Sequence, residues 1–167
     1  ATGSHGGVSF NYSICKTTGN AIVQRNTIVY SEIVVTGKLN VTGIPDAQGN
    51  LPKIIGGGSN RLFKVESGGE LVVKFLNLTG GVADGISYDA NGGAIFLRNG
   101  SLNSTDCAYF GNIANGRGGA IYARENAKVK ILRSSFVKNK AAITGGVYIT
   151  TGGYAIATQS LFKDNIA

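Results

Sequence analysis

Five asparagines stand in the tripeptide Asn-x-Ser/Thr: Asn11, Asn40, Asn77, Asn99 and Asn103. The chemistry they invite is N-glycosylation, which needs an exposed Asn side-chain amide on an exported protein. The motif is short, and Ser and Thr also suit strands and turns, so placement has to strengthen it. Two cysteines, Cys15 and Cys107, allow a disulfide if the compartment is oxidising. The alternatives are a buried free thiol at Cys107 and a bond from Cys15 to another subunit. Asp84 and Asp89 share one loop and are the only pair to name for acid/base chemistry on a polysaccharide. Paired loop acids are more often turn formers. One His and the lack of a Gly-Gly-x-Gly-x-Asp repeat argue against a metal site, and no cofactor is expected.

The elements that must position these residues are marked by a repeat. Gly92-Gly93-Ala94-Ile95-Phe96 returns as Gly118-Gly119-Ala120-Ile121-Tyr122 and as Gly145-Gly146-Val147-Tyr148-Ile149, with the glycine pairs 26 and 27 residues apart. A second mark returns in step: Phe110, Phe136 and Phe162, each followed by an asparagine, Asn112, Asn139 and Asn165. A fixed period of this length is the signature of a stacked array. Ala127-Lys128-Val129-Lys130-Ile131 alternates as a half-buried strand does, and no window carries an apolar helical stripe. A propeller blade needs about 40 residues. The shorter period suits one coil of a β-helix, with short strands separated by turns. The glycine pairs would turn the chain, the phenylalanines would stack inside the coil, and the asparagines would form an amide ladder along the rod.

Gly-Gly-Ala-Ile followed by Phe-x-x-Asn resembles the repeat of the polymorphic outer-membrane proteins. These are bacterial surface adhesins with a right-handed parallel β-helix passenger. Similar repeats occur in large surface proteins of algae and other protists. The second and third repeats keep Phe-x-x-Asn, whereas Asn112 comes only two residues after Phe110. The resemblance implies a right-handed, pectin-lyase-like parallel β-helix and a surface location. It implies no catalytic residue.

The expected fold is therefore all-β: one β-helix domain over residues 1–167, of about six or seven coils. Residues 91–167 hold the three regular repeats. Residues 1–80 read as irregular coils, with a protruding loop near 44–52 that contains both prolines. Gly6-Gly7-Val8-Ser9-Phe10 looks like another glycine-pair strand. Leu76-Asn77-Leu78-Thr79-Gly80 echoes Leu39-Asn40-Val41-Thr42-Gly43, 37 residues earlier. Residues 81–91 form a second loop.

The chain carries a net charge of +7, with Arg117, Arg124, Lys128, Lys130, Arg133, Lys138 and Lys140 close in sequence. Such runs are usually a solvated face, and they also allow contact with acidic polysaccharide. No zinc-finger, RNP or basic-helix pattern points to nucleic acid. No apolar run is long enough to span a membrane as a helix. Tyr88, Tyr109, Tyr122, Tyr148 and Tyr154 are candidates for holding a glycan, with core packing as the simpler role.

A β-helix has open edges at its ends, which are templates for pairing. Read tail to head, Asn165-Ile166-Ala167 running into Ala1-Thr2-Gly3-Ser4-His5-Gly6-Gly7 imitates Asn112-Ile113-Ala114-Asn115-Gly116-Arg117-Gly118-Gly119, which points to head-to-tail stacking. The competing expectation is a piece of a longer β-helix whose neighbouring coils cover the ends. The leading expectation is a structural glycoprotein at the cell surface or outside the cell, stacking on itself into a filament or forming an adhesin rod. A glycan-binding module or a polysaccharide-active enzyme is the alternative.

Overall fold

The computed structural model describes residues 17–167. Asn11, Cys15 and the strand read at Gly6–Phe10 lie outside the described residues. The chain is a parallel β-solenoid of about five turns with almost no helix. This is fewer than the six or seven coils expected. Part of the expected count lay before residue 17, and two loops consume chain without adding a level.

The strands run as follows. β1 (Thr17–Val23) and β2 (Thr27–Val29) open the solenoid. β3 (Ile33–Gly43) and β4 (Lys53–Gly56) make the next turn. Then come β5 (Phe63–Val65), β6 (Glu70–Lys74), β7 (Asn77–Thr79) and β8 (Val82–Ala83). A 3-10 turn at Ser87–Ala90 interrupts before β9 (Ile95–Arg98), β10 (Ser101–Thr105), β11 (Ala108–Phe110) and β12 (Ile113–Arg117). β13 (Ile121–Arg124), β14 (Lys128–Leu132), β15 (Ser135–Val137) and β16 (Lys140–Ile143) repeat the pattern. β17 (Val147–Ile149), β18 (Tyr154–Thr158) and β19 (Leu161–Lys163) form the last turn.

Every strand pairs in parallel with its counterpart one turn away. The long β3 spans a corner without a break. Its first half pairs with β5 and its second half with β6, which joins two faces into one sheet. A second sheet stacks β2, β4, β7, β11, β15 and β19, and a third stacks β8, β12 and β16. The register corrects one sequence reading. Leu39 and Val41 lie beside Leu71 and Val73, whereas Asn77 pairs with Lys53, so the Leu39–Gly43 and Leu76–Gly80 segments are not stacked copies. The loop at 44–50 is exposed and is folded by Asp46, whose carboxylate accepts the backbone N–H groups of Gln48 and Asn50 at 3.0 and 2.8 Å.

Alternation decides what goes inside. In β14 Val129 and Ile131 are buried, while Lys128 and Lys130 are exposed. The inward residues form rows through the solenoid. One row is Ile33, Phe63, Ile95, Ile121 and Val147; another is Leu39, Leu71, Leu102, Val129 and Ala155. Burial of such rows drives folding at roughly 25 cal/mol per Å² of apolar surface.

The corners are turned by single residues in the left-handed region. Phe75, Asp106, Arg133 and Gln159 occupy one column, with φ between 44° and 53°. Gly80, Gly111, Lys138 and Asp164 occupy another, with φ between 54° and 65°. Among the described residues twelve non-glycine residues have positive φ beside nine glycines, so many corners turn without glycine. The surrounding ladders over-determine these conformations.

Candidate functional site

The repeat residues meet at two internal ladders. At one corner, Asn139 Oδ1 accepts the backbone N–H of Asn112 at 3.0 Å and its side-chain N–H at 2.9 Å. Asn165 Oδ1 accepts the same two groups from Asn139, at 3.1 and 2.9 Å. Each amide also donates across the turn: Asn112 to Leu78 O, Asn139 to Tyr109 O and Asn165 to Phe136 O. Asn112 and Asn139 are fully buried, so these bonds satisfy groups that would otherwise be costly to bury.

The aromatic ladder requires a correction. Phe110 is exposed and pairs with Val137; the residue in line with Phe136 and Phe162 is Tyr109. The Tyr109 and Phe136 rings stack 4.4 Å apart, and Phe136 and Phe162 lie 4.7 Å apart. With Tyr109 as the marker, the spacing to Asn112 is the same three residues as in the other repeats. The Tyr109 hydroxyl donates to Ser104 Oγ at 2.9 Å, and both groups are buried. Ser104 stands in an inward row between Val73 and Ile131, so a small residue there makes room for the larger tyrosine.

The glycine pairs also shift by one position in the last repeat. Gly118 turns at φ 64°, and its column contains Gly92 and Thr144 rather than Gly145. A Cβ on Gly119 would collide with the carbonyl oxygens of Gly145 and Lys140, so this position must be bare. Gly145 occupies that bare position one turn on, and Gly146 takes the place of Ala120. The 27-residue interval between the last two glycine pairs is thus a frame offset at this face, where Ile121 pairs with Val147 and Tyr122 with Tyr148, 26 residues on. On the other faces Ser101 pairs with Lys128 and Tyr109 with Phe136, 27 residues on, so the turn itself varies by a residue.

Outside the β9–β13–β17 face runs a second aromatic row, in which Tyr122 and Tyr148, expected to pack in the core or a ladder, are joined by Phe96. Phe96, Tyr122 and Tyr148 stack with centroids 5.5 and 5.8 Å apart. Arg61 lies over Phe96 at 5.0 Å, and Arg117 over Tyr148 at 5.3 Å. Phe96 and Tyr122 are nonetheless buried. Arg61, itself 5% exposed, ties the loop ahead of β9 to the solenoid by donating to the carbonyls of Asp89, Asn91 and Gly92 and to Glu32 at 2.7 Å. Burial lowers the Arg61 pKa, and Glu32 opposes that shift. Tyr88, on the same loop, stacks over Arg124 at 3.8 Å. Asn91 fixes the loop's far end, its Oδ1 accepting the Arg117 N–H at 2.8 Å.

Of the five tyrosines considered for glycan contact, Tyr109 and Tyr122 are therefore interior or covered, and only Tyr88 and Tyr154 are exposed. Asp84 and Asp89 line a groove of about 330 Å³ together with Glu32, Asn60, Arg61 and Lys64. Among the described residues no group of three His, Cys, Asp or Glu side chains is placed to hold a metal ion.

The sequons within the described residues differ in setting. Asn99 is exposed at a corner with φ 47°, its amide donating to Ser67 Oγ at 2.8 Å. Asn40 and Asn103 are half-buried outward strand residues, bonded to Asn20 and Glu70. Asn77 is half-buried with its Oδ1 shielded and unpartnered. Cys107 is a buried free thiol whose Sγ donates to Thr105 O at 3.3 Å; burial pushes its pKa up. Arg117, Lys128, Lys130, Arg133, Lys138 and Lys140 are exposed, and Arg124 is half-buried.

No family model, no curated protein and no solved structure matches the chain.

Proposed function

We propose that the chain is a structural rod module of an extracellular or cell-surface glycoprotein, which stacks head to tail on a second copy into a filament or adhesin rod. It needs no catalytic residue. The observation that carries this reading is the state of the last turn. Phe162 is 47% exposed and Leu161 53%, whereas Phe136, one turn back in the same row, is fully buried. A further parallel coil laid on β17, β18 and β19, from a second copy or from continuing chain, would bury these side chains. The Asn165 backbone N–H stands where those of Asn112 and Asn139 each donate to the next asparagine, so the ladder presents a donor to any added coil.

Natural sheets protect open edges with charge or proline. β17, β18 and β19 contain one charged residue, Lys163, and no proline. β1 and β2, toward the other end, contain neither. An edge of this kind at β17–β19 fits a heterologous contact, which continues as a filament when it does not close. The polymorphic outer-membrane-type resemblance supports the surface placement and the right-handed coil. The exposed amide of Asn99 supports glycosylation there in preference to Asn77.

Electron microscopy of the native protein at neutral pH tests assembly. Filaments whose axial repeat matches one rod support it, and Ala155→Lys, which places a charge at an inward edge position, should abolish them. Dispersed single rods at high concentration overturn it. Intact-mass measurement before and after enzymatic deglycosylation tests the glycans, and an unchanged mass overturns that part.

A further inference from the structure

Charge is unevenly distributed along the solenoid. Residues 91–167 hold nine of the 16 Lys and Arg and three of the nine acids, and so carry +6 of the net +7. Two of those acids are engaged: Asp106 by Arg133 at 2.7 Å, and Glu125 by Arg98 and Arg124. Among the described residues, Lys128, Lys130, Lys138, Lys140 and Lys163 have no carboxylate within ion-pairing distance.

Two of these lysines sit on a regular face. Lys128 lies between Ser101 and Tyr154 in the register, Lys130 between Asn103 and Ile156, and Leu132 between Thr105 and Thr158. All point away from the core, because their neighbours Val129 and Ile131 point into it. Outward side chains on such a face recur about 4.8 Å apart across strands and roughly 6.6 Å apart along them. A groove of about 300 Å³ runs through the patch, rimmed by Asn103, Thr105, Lys130, Leu132, Ile156 and Thr158. Tyr154 is 42% exposed beside it. The nearest acid on this face, Glu70 on β6, is paired with Lys38 at 3.1 Å.

We propose that the lateral face of β10, β14 and β18 binds an acidic polysaccharide, with Lys128 and Lys130 holding its anionic groups. The ammonium groups act as compact point charges that take carboxylate or sulfate alike. Asn103, Thr105 and Ser101 offer an amide and hydroxyls to sugar hydroxyls. Tyr154 offers an apolar ring face with a polar tip to a pyranose ring. A flat sheet with repeating side chains suits a repeating polymer better than a compact ligand. The site stands on its own geometry and does not depend on self-assembly.

The test is binding of the whole chain to immobilised polygalacturonate and dextran sulfate, with neutral dextran and duplex DNA as comparisons. Retention on either acidic polymer and not on neutral dextran is expected, weakening as salt is raised. Lys128→Gln/Lys130→Gln should lower affinity at least about tenfold. Arg25→Gln/Lys53→Gln makes the same change in net charge on exposed residues near the other end, and should alter affinity less than about twofold. Tyr154→Ala, which leaves charge untouched, should also weaken binding. Both lysine substitutions are at exposed positions, and circular dichroism checks that each variant remains folded. Equal loss from both charge pairs, equal retention on neutral dextran, or tighter binding of duplex DNA than of either acidic polymer overturns the proposal.

Discussion

The side-chain oxygen of Asn139 receives two hydrogen bonds from Asn112, one from its backbone and one from its amide, at 3.0 and 2.9 Å. One residue thereby satisfies two buried donors on the preceding turn, while its own amide reaches Tyr109 O at 3.0 Å. Replacing it removes the acceptor of the buried Asn112 backbone N–H, one of the two bonds made by the Asn112 amide, which keeps Leu78 O, and the amide that reaches Tyr109 O. Asn139→Ala should lower stability by about 3 kcal/mol, since an orphaned buried polar group costs ~1–3 kcal/mol. Urea denaturation measures this. A loss below about 1 kcal/mol would mean that the ladder does not contribute as described.

The aromatic frame can be checked by a matched pair. Phe136→Ala removes a buried ring between Tyr109 and Phe162 and should cost about 3–5 kcal/mol. Phe110→Ala removes an exposed ring outside the row and should change stability by less than about 0.5 kcal/mol. Equal effects would contradict the register given above.

Corner residues give a prediction of opposite signs. Lys138 adopts φ 55° in a column where Gly80 and Gly111 also stand. Left-handed backbone costs an L-residue roughly 1–2 kcal/mol, partly offset by glycine's greater freedom in the unfolded chain. Lys138→Gly should therefore raise stability by up to about 1 kcal/mol. Gly119→Ala has no such latitude, because the new methyl meets two backbone oxygens. It should destabilise by about 3 kcal/mol or more, and thermal unfolding of both variants separates the two signs.

Arg133 donates to both oxygens of Asp106, each at 2.7 Å, and this hydrogen bonding holds the Asp106 carboxyl below its ordinary range. A depressed folded-state pKa contributes stability above the unfolded value, near 3.9, and the contribution is lost as pH falls through the folded value. Asp106→Asn should therefore flatten the acid limb of the stability–pH curve below about pH 4 and leave its slope near pH 7 unchanged. The exposed setting of Arg133 keeps the effect small and salt-sensitive. Denaturation at a series of acid pH values, in low and high salt, reads it directly.

The turn length was legible because glycine, the aromatic and asparagine each recur at it, and their reasons for recurring are independent. The one-residue errors have physical causes. Tyr109 and Phe110 are adjacent aromatics, so composition cannot choose between them; the fixed three-residue step to Asn112 can. Gly145-Gly146 is nearly unchanged by a shift of one, and only Val147 and Tyr148, aligned with Ile121 and Tyr122, set its frame. The first half was harder. β3 crosses a corner as continuous strand, with no marked turn to read. Arg61 left no pattern at all, because a lone arginine acquires its role only from carbonyls about 30 residues further along the chain.

The parallel pairing between successive turns has a mechanical consequence. The hydrogen bonds that join one turn to the next run along the rod, so tension applied between its ends loads them in line rather than in shear. Such a rod does not fail everywhere together; it unwinds from an end, one turn at a time. A turn of the regular repeats, 26 residues from Lys128 to Tyr154, pays out about 90 Å of chain when fully extended. A rod built this way would lengthen in steps of about one turn under load and take the turns back up when the load falls, because each turn left in place remains a template for the next.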